Sequence, residues 1–159
     1  MATKVIVNIP GEEAYDVRIG TGVLDALGAR MRGVPSLEQA ERVLVVTDEN
    51  VAPLYRDRAR ESLAAAGFRV PDIVVPAGED TKSVEVAGEI WEAMAHLSLG
   101  RDCAVVALGG GVVGDLAGFA ASTYMRGVTL VQLPTTLLSM VDSSVGGKTG
   151  VNLTEGKNL

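Results

Sequence analysis

The chain has 159 residues, 47% of them hydrophobic, a formal net charge of −6, one cysteine and one histidine. That size and apolar content suit one globular domain with a real core, and the acidic balance argues against a nucleic-acid partner. No apolar run reaches the roughly 18 residues of a membrane-spanning helix, and the amino terminus shows no signal-peptide pattern, so no membrane partner is expected.

In chain order, residues 4–9 and 15–19 flank Pro10-Gly11 and read as a hairpin. Residues 22–31 read as a helix with Val23, Leu24, Leu27 and Met31 on one face. Residues 43–47 form a continuous β-branched and leucine run, the pattern of a parallel strand covered on both faces. Asp48 or Asn50 can cap the helix that follows, with Pro53 in its first turn and Gly67 just past its end. Residues 69–75 read as a strand ended by Pro76-Ala77-Gly78, and 84–97 as a helix burying Ile90, Trp91, Met94 and Leu97. Strand 103–108, helix 112–122, strand 128–133 and a short helix 135–140 complete the alternation. The expected fold is α/β, a Rossmann-like open, mostly parallel sheet with helices on both faces.

The charge is uneven. Residues 1–100 carry 10 Lys and Arg against 16 Asp and Glu, whereas residues 101–159 carry four of each. The neutral stretch is the glycine-rich one, where a phosphorylated ligand is least repelled. Within it, Gly109-Gly110-Gly111-Val112-Val113-Gly114 fits G-x-G-x-x-G between a strand and a helix. The dinucleotide fingerprint also wants an acid about 20 residues on, at the end of the next strand. Residues 129–134 are Thr-Leu-Val-Gln-Leu-Pro, which disfavours an ordinary Rossmann site. A phosphate cradle of another layout stays open, because glycines allow close backbone approach and a helix amino terminus is electropositive. The plainer alternative is a tight turn in which Gly114 and Gly118 only permit close packing.

Gly147-Lys148-Thr149 imitates the end of a Walker A loop, but Asp142 stands where that loop requires glycine. Asp48 closes a strand at the edge where open α/β sheets take ligands, and is either a ribose acceptor or a helix cap. Glu79 and Lys82 face the same edge, as site residues or as a solvated pair. His96 suits its helix carboxyl end better than catalysis. Cys103 reads as a small buried hydrophobe, and one histidine and one distant cysteine make no zinc site, so no metal ligands are expected.

Five ordered blocks are more specific: residues 109–119, Met125-Arg126-Gly127, Pro134-Thr135-Thr136-Leu137-Leu138, residues 142–152 and Gly156-Lys157-Asn158. Together they resemble the 3-dehydroquinate synthase family of sugar-phosphate cyclases, which serves the shikimate pathway of aromatic amino acid biosynthesis. Asp48 with Asn50, and Gly78-Glu79 with Lys82, extend the match upstream. Other sugar-phosphate cyclases share much of the pattern. Iron-type alcohol and glycerol dehydrogenases share the glycine turn and Pro-Thr-Thr, but Leu137-Leu138-Ser139-Met140 replaces their Gly-Thr-Gly-Ser-type run. A non-catalytic nucleotide-binding module is the alternative of another class.

The resemblance implies that residues 1–159 are an amino-terminal NAD-binding domain, with the chain stopping before a helical metal-binding domain. It also implies a cytoplasmic homodimer when full length and a lyase acting on a phosphorylated sugar acid, 3-deoxy-D-arabino-heptulosonate 7-phosphate. That chemistry oxidises C5 transiently with NAD, eliminates phosphate, reduces C5 again and closes the ring by an aldol step. A zinc or cobalt ion assists from ligands that nothing here matches.

By the same resemblance Asp48 and Asn50 hold the adenosine end, with Gly78, Glu79 and Lys82 at its ribose. Gly110, Gly111 and Val112 present backbone to the pyrophosphate, Val113 and Gly114 continuing the turn. Asp115, Thr135, Thr136, Lys148 and Lys157 complete the cofactor site toward the nicotinamide. Asp142, Lys148 and Asn158 reach the substrate, and Arg126 its phosphate, in the neighbouring subunit's site. Fixed charges such as Lys148 and Arg126 suit phosphate or carboxylate.

Overall fold

The computed structural model describes residues 2–11 and 14–158; Leu159, where the chain was expected to break off, lies outside them. The hairpin is present. β1 (Thr3–Val7) pairs antiparallel with β2 (Tyr15–Ile19), Thr3 opposite Ile19.

The main sheet has four parallel strands: β3 (Val43–Asp48), β4 (Asp72–Val75), β5 (Ala104–Gly109) and β6 (Thr129–Pro134). Their spatial order is β4-β3-β5-β6. Every residue of β5, and all of β3 except Asp48, is buried, as unbroken apolar runs require of central parallel strands. Side chains alternate across these strands, so two cores form. Leu44, Val46, Val105 and Ala107 meet Ile90 and Met94 of α3 (Val84–His96) and Leu116, Ala117 and Ala120 of α4 (Gly111–Thr123). On the other face Val43, Val45, Val106 and Leu108 meet Leu27 and Met31 of α1 (Leu27–Arg32), and Ala59 and Leu63 of α2 (Asp57–Ala65). Each large aliphatic side chain buried this way stabilises the fold by roughly 1.5–3 kcal/mol before entropy is counted.

Chain order and spatial order diverge at one place. From β3 the chain moves outward to β4, then crosses back over β3 to lay down β5 on its other side. The carboxyl ends of β3 and β5 therefore flank a topological switch point, where open α/β sheets leave a crevice. Asp48 stands at one lip and Gly109-Gly110 at the other.

Several local expectations are corrected. The first helix begins at Leu27, because Gly22 takes a left-handed φ of +75° and residues 22–26 form turns. Strand β4 begins at Asp72; upstream only Arg69 bridges to Arg42. Leu97 is 39% exposed, since α3 ends at His96 and Leu97 turns away from its buried stripe. The short helix predicted over 135–140 is displaced to 137–143, ending in a wide π turn, Ser139–Ser143. Cys103 is buried, and burial, with Asp102 adding to it, pushes its thiol up to about 11. It is therefore protonated and unreactive at neutral pH.

Candidate functional site

The floor of the crevice is the turn from β5 into α4. Gly110 is the N-cap, with extended backbone, and no side chain caps the helix. The first N–H groups of a thirteen-residue helix are thus left to an outside acceptor, with the helix dipole behind them. Side chains would be crowded here. A Cβ at Gly110 would sit 3.2 Å from the Thr136 methyl, and one at Gly111 would sit 3.3 Å from Ser143 Oγ. Gly114 and Gly118 have the packing role foreseen: a Cβ would come within 2.9 Å of the Gln132 amide or 2.4 Å of Thr149.

Thr135 N–H donates to the Gly109 carbonyl at 2.9 Å, which fastens the end of β6 beside the turn. The Thr135 hydroxyl is buried and has no protein partner. Thr136 Oγ1 accepts from Ser139 N–H at 3.2 Å and so caps the helix over 137–143. The Thr47 hydroxyl, at the end of β3, is likewise buried without a partner. Sequence reasoning passed over it because threonine fits any strand.

Across the crevice, Asp48 Oδ1 accepts from Asn50 N–H and Val51 N–H, both at 2.9 Å. Asp48 is the local cap that sequence allowed, and these bonds use one carboxylate oxygen only. Asn50 is exposed beside it. Gly78 turns the chain out of β4 with φ +116°, a conformation open to glycine and costly for other residues.

Glu79 and Lys82 are not a solvated pair. Glu79 Oε1 accepts from Asn152 Nδ2 at 2.9 Å. Lys82 is only 4% exposed, and its ammonium donates to the Asp115 carboxylate and to Asn158 Oδ1. Lys82 is buried because residues 152–158 fold back over it: Asn152 N–H donates to its carbonyl at 2.8 Å. Asn152 also accepts from Asn158 N–H at 3.0 Å. Asn152 was missed as a site residue although it closes one of the quoted blocks.

The remaining candidates are dispersed. Lys148 pairs with Asp142, both more than half exposed, an arrangement worth little to stability and open to a charged ligand. The loop before Lys148 is held by Gly146 N–H donating to the Tyr15 hydroxyl at 2.9 Å, a link to the hairpin that no sequence signal announced. Lys157 is exposed. Arg126 is exposed with φ +71° beyond the carboxyl end of α4, about 18 Å along that helix from the glycine turn, and does not join the others. His96 is exposed, its Nδ1 2.8 Å from the Glu92 carbonyl. Among the described residues, no group of three or more His, Cys, Asp or Glu gathers to hold a metal ion. No helix among them is long and apolar enough to cross a membrane.

The family profile described as 3-dehydroquinate synthase N-terminal matches residues 72–159. The 3-dehydroquinate synthase of Symbiobacterium thermophilum is 54% identical over 149 residues, covering 94% of this chain and 41% of the relative. A solved 2-deoxy-scyllo-inosose synthase in complex with carbaglucose-6-phosphate, NAD+ and Co2+ superposes with a TM-score of 0.88 at 29% identity. The match covers 99% of this chain and 41% of that one. The 2-epi-5-epi-valiolone synthase of Streptomyces hygroscopicus, with NAD+ and Zn2+ bound, gives a TM-score of 0.68 at 35% identity, over 80% of this chain and 36% of that one. The chain thus spans about two fifths of the length of the curated relatives it matches.

Proposed function

The chain belongs to the 3-dehydroquinate synthase family, and from that premise we propose that it is the NAD+-binding part of an enzyme converting 3-deoxy-D-arabino-heptulosonate 7-phosphate to 3-dehydroquinate and phosphate. The observation that carries the reading is the uncapped α4 amino terminus at the β3–β5 switch point, opposite Asp48.

The residues fit the cofactor. Gly110 and Gly111 leave unfilled the space a Cβ would take, and the buried Thr135 hydroxyl still lacks a partner. In this reading the α4 N–H groups of Gly111, Val112 and Val113 hold the pyrophosphate, and Asp48, Asn50 and Glu79 the adenosine side. Asp115, Thr135, Thr136 and Lys157 complete the wall toward the nicotinamide. Bound there, NAD+ would supply reversible hydride transfer, so that a transient ketone acidifies the neighbouring C–H. Lys148 and Asp142, paired and exposed, would re-pair with charged groups of the substrate, beside Asn158. Arg126, remote from this crevice, would serve the phosphate of a substrate in a neighbouring subunit. Among the described residues none are grouped to fit a metal site.

Two outcomes test the reading. First, the 159-residue chain should bind NAD+ about tenfold more tightly than NADP+, because Asp48 would accept from a ribose hydroxyl and repel a phosphate in its place. Calorimetric titration reads this, and equal or tighter NADP+ binding would remove Asp48 from the site. Second, the chain alone should release no phosphate from the heptulosonate substrate with saturating NAD+ and added Zn2+ or Co2+. A catalytic zinc needs about three protein ligands. Turnover abolished by a chelator would show a metal site in this chain and contradict the proposal.

A further inference from the structure

Lys82 is the one charged side chain that is fully buried among the described residues. Its ammonium has three donors; one goes to the Asp115 carboxylate and one to Asn158 Oδ1. The same lysine accepts Asn152 N–H at its carbonyl, and Asn152 in turn accepts Asn158 N–H and donates to Glu79. Residues 79–82, the second turn of α4 and the stretch 152–158 are therefore one closed network. We propose that Lys82 is a positioning residue that ties residues 152–158 to α4, rather than a ligand of the ribose. The proposal rests on the cofactor reading for its functional consequence.

Two physical effects support it. Asp115 lies one turn into α4, and an uncompensated carboxylate there would cancel part of the positive potential that the helix offers an anion. Lys82 neutralises that carboxylate at contact distance, so the glycine turn keeps its field. Asn158, with a left-handed φ of +58°, has no element of its own to hold it. Its side chain is fixed by Lys82 and its N–H by Asn152. Without the ammonium, Asn158 keeps its N–H bond to Asn152, while the Leu153–Gly156 turn keeps its own two backbone bonds.

The test compares the 159-residue chain with Lys82→Met, Asn158→Ala and the pair combined. Each is titrated with NAD+ and with ADP, and backbone hydrogen exchange is followed at Asn152, Leu153 and Asn158. A charge-balanced variant, Lys82→Met with Asp115→Asn, leaves no lone buried charge and keeps the exchange comparison valid if Lys82→Met folds poorly. If Lys82 acts as proposed, protection at Asn158 falls on the order of tenfold or more in both Lys82 variants. In the charge-balanced variant, where no lone Asp115 carboxylate opposes the glycine turn, NAD+ binding weakens by a similar factor while ADP binding stays within about twofold. Adding Asn158→Ala to Lys82→Met then costs nothing further, because both act through one contact. Unchanged protection overturns the proposal, as does equal weakening of ADP and NAD+ in the charge-balanced variant, the result expected of a direct ribose ligand. A wild-type chain that binds neither ligand fails the cofactor reading itself, and the exchange data still decide for or against the tether.

Discussion

Gly110→Val abolishes measurable NAD+ binding while leaving the fold in place. The backbone at Gly110, φ −77° and ψ −166°, is one that any residue adopts, so the substitution brings no backbone strain. The added side chain projects into the space between the α4 amino terminus and Thr136, where even a Cβ would lie 3.2 Å from the threonine methyl. An anion must approach the N–H groups to about 3 Å to bond them. Losing two such charge-assisted bonds, at roughly 1.5–3 kcal/mol each, weakens binding by about 100-fold or more. Calorimetry reads the affinity and a thermal melt reads the fold. Near wild-type affinity would mean that the glycine turn does not face the cofactor.

Gly28→Ala has the largest effect expected on stability. Glycine within a helix ordinarily costs about 1 kcal/mol relative to alanine, so propensity alone predicts a gain. At the contact of α1 with α2 the outcome reverses. A Cβ at Gly28 would lie 2.1 Å from the Ser62 carbonyl oxygen and 2.8 Å from the Ala66 Cβ. Those atoms are backbone and a short side chain, so relief requires moving one helix off the other. That movement also breaks the 3.1 Å bond from Gly28 N–H to Ser62 Oγ and opens the packing of Leu27 and Met31 on the sheet. A net loss of about 3 kcal/mol follows, lowering the melting midpoint by roughly 6–12 °C in a domain of this size. A midpoint at or above wild type would contradict the close α1–α2 contact.

The sheet was legible because β3 and β5 are unbroken apolar runs ending in Asp48 and in three glycines. Periodicity and turn residues are local signals, and they placed the hairpin, α3 and α4 within a few residues. The strand order that creates the crevice is not local. Nothing in residues 43–109 states that β5 lies on the far side of β3 from β4. The same reason hid the partners of Lys82. Glu79 stands three residues away and looked like its mate, yet the ammonium reaches Asp115, 33 residues on, and Asn158, 76 residues on. Tyr15 and Gly146 are 131 residues apart and belong to no shared pattern. At the other extreme, the helix expected from Gly22 failed on one backbone angle, which hydrophobic spacing does not report.

The most direct test of the central claim is to add NAD+ to the 15N-labelled 159-residue chain and follow its backbone amides by NMR. The largest shifts are expected on Gly110, Gly111, Val112 and Val113, with further changes at Asp48, Asn50, Thr135 and Thr136. The groove along α2 lined by Asp57, Arg60, Glu61, Ala64 and Val70 should stay unperturbed. A saturating titration whose shifts gather in that groove, or which leaves the Gly110–Val113 amides in place, would contradict the assignment of the β3–β5 crevice as the cofactor site.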